Sequence, residues 1–252
     1  MSAPSALAIF AAGLIAGGVN VIVGSGSLVT FPTLLALGYP PVLANVSNTV
    51  GLVPGSVSAV VAYRRELVGQ ERRLLRLGPA SLVGGLIGGS LLLALPHQFF
   101  KSAVPVLVAV AALLMAIQPA MSRRLSKRGS RGANVSAPLI AGVFLTGVYG
   151  GYFGAAQGVI LISLLAIFID DDLQRLNGTK NALALIANLT SGLLFVATTH
   201  IAWSAAALIA GGSTIGGQVG GRYGRRLPAQ VLRWTVVSVG VGVAIGLAVE
   251  WH

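Results

Sequence analysis

The chain has 252 residues, 55% of them hydrophobic and only 9% charged, with a mean hydropathy of +0.85. That excludes an ordinary soluble domain, which carries about 25% charged residues, and disorder, which needs low hydrophobicity. The formal charge of +11 sits in short basic clusters between apolar runs, the pattern of cytoplasmic loops and not of a nucleic-acid surface, and the absence of Cys removes disulfides, thiolate metal sites and cysteine nucleophiles.

In chain order, apolar runs fall at about 5–23, 25–38, 42–62, 78–95, 102–118, 136–150, 152–169, 181–199, 203–221 and 234–250. They are continuous, where barrel strands alternate, so helices are predicted. The first run lacks a positive n-region and reads as a span and not a cleaved signal. A full span takes about 20 residues. Two stretches, 5–38 and 136–169, are longer and broken by glycine, at Gly24-Ser25-Gly26 and at Gly150-Gly151-Tyr152-Phe153-Gly154. Each fits a tight helical hairpin or a broken, partly re-entrant unit.

The chain repeats itself. Gly84-Gly85-Leu86-Ile87-Gly88-Gly89 returns 132 residues later as Gly216-Gly217-Gln218-Val219-Gly220-Gly221. The same offset carries Asn45-Val46-Ser47 onto Asn177-Gly178-Thr179, and an offset of 130 carries Gly17 and Gly24 onto Gly147 and Gly154. Matching loops carry opposite bias. Residues 64–76 hold Arg64, Arg65, Arg72, Arg73 and Arg76 where 196–208 hold no Lys or Arg; 90–97 hold none where 222–229 hold Arg222, Arg225 and Arg226. Opposite bias implies opposite orientation. The expected fold is therefore an all-α polytopic integral membrane protein of two inverted-topology repeats with glycine-broken helices and about 8–10 membrane segments. Its parts are a first repeat over 1–118, a basic cytoplasmic linker over 119–135 and a second repeat over 136–252. Five crossings per half would put sixteen of the 17 Lys and Arg, all but Lys101, on the cytoplasmic side of the cell membrane, with both termini outside.

The six acidic residues, Glu66, Glu71, Asp170, Asp171, Asp172 and Glu250, lie in predicted loops or at the end of the last run. Proton relays and cation pathways keep carboxylates in the membrane, so a cation carrier is disfavoured. His97, His200 and His252 also fall at loops or the terminus, no H-E-x-x-H occurs, and Ser25 and Ser27 have no evident base. No enzymatic activity, cofactor or metal is expected.

The glycine-broken stretches are the first site candidates, because broken helices expose backbone N–H groups and positive helix ends to anions, and such backbone is tolerated at membrane depth only when buried or lining a cavity. They contribute Asn20, Gly24, Ser25 and Gly26 in one half and Gly150, Gly151, Gly154 and Gln157 in the other. Close helix packing through small residues is the competing role for the glycines. The second set opens the following helix of each half: Asn45, Ser47, Asn48 and Thr49, then Asn177, Thr179, Lys180 and Asn181. These suit N-terminal caps or an anion cradle, and Lys180 equally suits a lysine snorkelling to the interface.

The stretch Gly17–Gly38, the run Ala44-Asn45-Val46-Ser47-Asn48-Thr49, and in the second half Gly147–Gly154 and Asn177-Gly178-Thr179-Lys180 resemble the sulfite exporter TauE/SafE family of membrane permeases over nearly the whole chain. The family has a denser glycine run in each break; Ser27, Ala155, Ala156 and Gln157 depart from it here. The resemblance implies a secondary transporter exporting a small anion: sulfite, an organosulfonate or a related oxyanion. The alternative is a channel-like or structural membrane protein without transport turnover. The expected partners are that anion and the lipid bilayer, with no nucleic acid; a homo-oligomer stays open.

Overall fold

A computed structural model describes residues 1–126, 135–223 and 238. Residues 127–134 of the linker 119–135, and all of the last predicted run 234–250 but residue 238, lie outside the described residues. Among the described residues all regular structure is α-helical, as α1 (Ala3–Ile22), α2 (Ser27–Ala36), α3 (Pro41–Ala62), α4 (Glu71–Ala94), α5 (His97–Ser126), α6 (Ala137–Tyr152), α7 (Gln157–Phe168), α8 (Leu173–Thr198) and α9 (Trp203–Tyr223).

Local chemistry sets the boundaries. Prolines in the first turn begin α1, α3 and α6, where a missing N–H costs nothing. Asp172 caps α8, its carboxylate accepting from the Gln174 and Arg175 amides at 2.8 and 3.4 Å. Gly38, at φ +83°, ends α2 in the left-handed conformation that glycine adopts freely. Among the described residues four helices are long and apolar enough to cross a membrane: α1, α4, α5 over His97–Ile117, and α8. Large apolar side chains such as Leu7, Val106, Leu113, Leu145, Leu193 and Val219 point outward, the surface that a bilayer accepts.

The second helix of each glycine-broken stretch is short. Helices α2 and α7 have 10 and 12 residues, about 15 and 18 Å, roughly half of a 30 Å hydrocarbon core. The apolar runs at 25–38 and 152–169 are longer than the helices they contain because each also includes residues of the glycine turn and of the exit loop. The partly re-entrant unit fits these lengths.

Packing is reciprocal. The long contacts join α1 to α9 and α4 to α6, then α3 to α9 and α4 to α8, with α3 against α8. Glycine permits them. A Cβ on Gly212 or Gly216 would run into the backbone of α1, and one on Gly84 or Gly88 into the backbone of α6. The second glycine of each doublet faces another neighbour: Gly85 and Gly89 lie against Ala187, Ser191 and Phe195 of α8, and Gly217 and Gly221 against Gly55, Ser58 and Ala62 of α3. The repeated six-residue motif thus holds two helices close at once.

Candidate functional site

The two breaks meet in the interior. Gly24 and Gly154 have φ of +85° and +78°, each turning the chain back on itself. The Gly158 amide donates to the Gly24 carbonyl at 3.0 Å, and a Cβ on either residue would come within 2.5 Å of the other's Cα. Ala156 holds φ 59° without being glycine, a conformation costing about 1–2 kcal/mol. Beside this junction, Ser25 Oγ and Gln157 Nε2 are buried with no hydrogen-bond partner. The Gln157 carboxamide fills the space that a side chain at Gly150 would need. Phe31 meets Phe153 edge-on at 5.3 Å, and Phe153 lies 6.2 Å from Phe100, packing one flank with aromatic surface.

The Asn/Ser/Thr residues do not cap their own helices, contrary to the expectation from sequence. α3 begins at Pro41 and α8 at Leu173, so Asn48, Thr49, Thr179 and Lys180 sit one to two turns inside. Asn45, Asn177, Thr179 and Lys180 find partners in the other half. Asn45 Nδ2 donates to the Tyr152 carbonyl at the end of α6, at 2.9 Å. Asn177, its counterpart, donates to Val21 O near the end of α1 at 3.5 Å and to Tyr63 Oη at 2.9 Å. The amides satisfy carbonyls that a helix end leaves unpaired. Lys180 does the same with charge: its Nζ donates to Asn20 O at 3.5 Å and Val21 O at 3.3 Å, a cation at the negative end of α1. At 1% exposure it does not snorkel.

The sequence candidates divide. Asn20, Gly24 and Lys180 surround one small cavity with Ser56, Asn181 and Ala184. Asn48 stands apart, its Oδ1 taking the Thr30 hydroxyl and its Nδ2 reaching Ser27 Oγ at 3.2 Å. Thr49 turns its hydroxyl onto Asn45 O of its own helix. Thr179 donates to Gln70 Oε1 at 2.5 Å. Gly26 packs its backbone on Ala16, and Gly151 packs on Gly85 and Gly89, so these two serve close approach. Sequence reasoning did not reach Tyr63, Gln70 or Asp171. Gln70 Nε2 ties the Glu66 and Arg175 carbonyls, and Asp171 pairs with both Arg73 and Arg175 at 2.9 Å. Together they join the α3–α4 and α7–α8 loops. At the positions equivalent by an offset of 132 to Gln70 and Thr179, Ala202 N donates to Ser47 Oγ at 2.9 Å. Among the described residues no group of three or more His, Asp or Glu is placed to hold a metal.

These features define a multi-pass α-helical membrane protein with polar groups gathered where two broken helices touch. The family profile described as Sulfite exporter TauE/SafE matches residues 9–247, and the chain belongs to that family. Curated relatives include the probable membrane transporter protein ORF9 of Sinorhizobium sp, 26% identical over 96% of this chain and 92% of its own length. The probable membrane transporter protein YfcA of Escherichia coli K12 is 25% identical over 97% and 90%, and a probable membrane transporter protein of Haemophilus influenzae is 25% identical over 85% and 83%. No solved structure matches the chain. Family and relatives together support a membrane transporter.

Proposed function

We propose that the protein is a secondary transporter that exports a small anion, sulfite or a related oxyanion or sulfonate, across the cell membrane. The observation that carries the reading is Lys180, a buried amine on α8 whose Nζ reaches the Asn20 and Val21 carbonyl oxygens at the end of α1, beside the first break. The two breaks touching through Gly24 and Gly158 support a substrate position near the midplane, shared by both halves. Reciprocal packing of α1 with α9 and α4 with α6, and of Asn45 and Asn177 on opposite helix ends, supports an inverted-repeat arrangement.

The basic residues favour the face carrying Arg64, Arg65, Arg72, Arg73 and Arg175 as cytoplasmic, which puts the N-terminus outside. Expelling one negative charge from a negative cytoplasm gains about 2.3 kcal/mol per 100 mV, so outward flow needs no proton relay. The test is flux of labelled sulfite in proteoliposomes. Saturable flux is expected, reduced far more by Lys180→Ala than by Lys101→Ala. Flux that does not saturate would favour a channel, and unchanged flux in Lys180→Ala would remove the lysine from the pathway.

A further inference from the structure

The two halves present the same constellation with different chemistry. At offset 132, Asn48 corresponds to Lys180, Thr49 to Asn181 and Ser56 to Asn188. In the first half the polar atoms are used up internally: Asn48 is bonded through both its oxygen and its nitrogen, and Thr49 is bonded to its own helix. In the second half they are not. Asn181 Nδ2 is buried without a hydrogen-bond partner, and Lys180 takes part in neither of the ion pairs found among the described residues. Its contacts with the α1 carbonyls, at 3.3 and 3.5 Å, are longer than charge-assisted hydrogen bonds of about 2.7–2.9 Å. A buried ammonium with no counter-ion is costly, and so is an unpaired amide. Both line the cavity that Asn20, Ser56 and Ala184 complete.

Resting on the transporter reading, we propose that this cavity seats the charged head of the transported anion. The second half alone supplies the counter-charge, so the site takes a small oxyanion bearing one negative charge in preference to one bearing two. One ammonium neutralises one charge; the second charge of a dianion would stay uncompensated in the interior. Asn181 Nδ2, unpartnered, and Asn20 Nδ2, held only by a long 3.5 Å contact with Ser56 Oγ, supply neutral donors for oxyanion oxygens. The cavity's free volume is about 10 Å³, room for about one water, so the anion enters by parting α8 from the end of α1. The contacts that must yield are the two long ones from Lys180.

The probes are methanesulfonate and sulfate, which present similar sulfur–oxygen heads with one and two charges. The melting midpoint of the purified full-length chain is measured in detergent against each, at constant pH and ionic strength. Methanesulfonate should raise the midpoint saturably, and sulfate should need a concentration higher by about tenfold or more. Lys180→Met should abolish the rise. Asn181→Asp, which tethers a carboxylate beside the ammonium, should melt higher than the parent and gain nothing further from methanesulfonate. An equal response to sulfate, a rise that persists in Lys180→Met, or an Asn181→Asp variant no more stable than the parent and still responsive would each overturn the proposal. Where Lys180→Met does not fold, Asn181→Asp decides. Anion flux without any midpoint shift overturns the cavity and leaves the transporter reading standing; midpoint shifts without flux do the reverse.

Discussion

Gly211 and Gly212 are neighbours on α9, yet substitution by Ala should act on them in opposite directions. A Cβ on Gly211 would meet Phe10 Cε2 at 3.6 Å, an ordinary contact. Gly211→Ala therefore gains helix propensity, worth up to about 1 kcal/mol, at no steric cost. A Cβ on Gly212 would strike Phe10 O and lie 2.8 Å from Leu14 N and 3.1 Å from Gly13 C, all backbone atoms of α1 that no rotamer change can clear. Ordinary carbon contacts lie at about 3.5–4.0 Å, so α1 and α9 must part by most of an ångström along their joint length. A gap of 0.5–1 Å forfeits a quarter to a half of each dispersion contact across it, and overpacking of this kind costs about 1–3 kcal/mol. Thermal unfolding of the purified protein in one detergent reads the difference, at about 2–4 °C per kcal/mol for a chain of this size. Gly212→Ala should melt several degrees below Gly211→Ala. Equal midpoints would refute the claim that the glycines set the distance between α1 and α9.

Gly158→Ala would press a methyl against Gly24 Cα and displace the bond between the two breaks; anion flux should fall sharply at equal expression, and normal flux would show that the junction is packing alone. Asp171 is pushed upward by burial, but the Arg73 hydrogen bond, the Asp172 amide and the Arg175 charge prevail and hold its pKa below the ordinary carboxylate value. A depressed carboxylate stabilises the fold above its unfolded pKa of about 3.9, and that stabilisation is lost as pH falls through the lower folded value. Asp171→Asn should therefore lower the melting midpoint at neutral pH, and the gap to the parent should close in acid; a gap constant with pH would discard the ion pairs as its source.

Much of the architecture was legible because a bilayer imposes a one-dimensional code: each buried helix is an apolar run, and 42–62 or 203–221 needed only a shift of a residue or two to become α3 and α9. The glycine doublets were legible as a repeat, but their double-facing role was not, since it depends on which helix lies on either side. The lengths of α2 and α7 escaped because apolar turn residues look like helix in a hydropathy count. The candidate residues were found by composition and matching offset, and Asn20, Gly24 and Lys180 do share a cavity. Their hydrogen bonding was misjudged for a non-local reason. Asn45 and Asn177 look like caps from their neighbours in sequence, yet their acceptors are 107 and 156 residues away. Asp171 and Arg73 are 98 residues apart, and nothing local to either predicts the pair.

The exchanged amides at the ends of α1 and α6 also set an order of events during synthesis. Tyr152 O is covered by Asn45, a residue that has already left the ribosome when α6 enters the membrane, so α6 finds its donor waiting. Val21 O is covered by Asn177 and Lys180, which are made more than 150 residues later. Until then α1 carries a carbonyl that lipid cannot solvate, at a cost of several kcal/mol in hydrocarbon. The N-terminal half is thus an unfinished object in the bilayer, dependent on water, on a chaperone or on a shallow resting depth until its other half arrives. A chain cut in the linker should yield two fragments that mature only when made together.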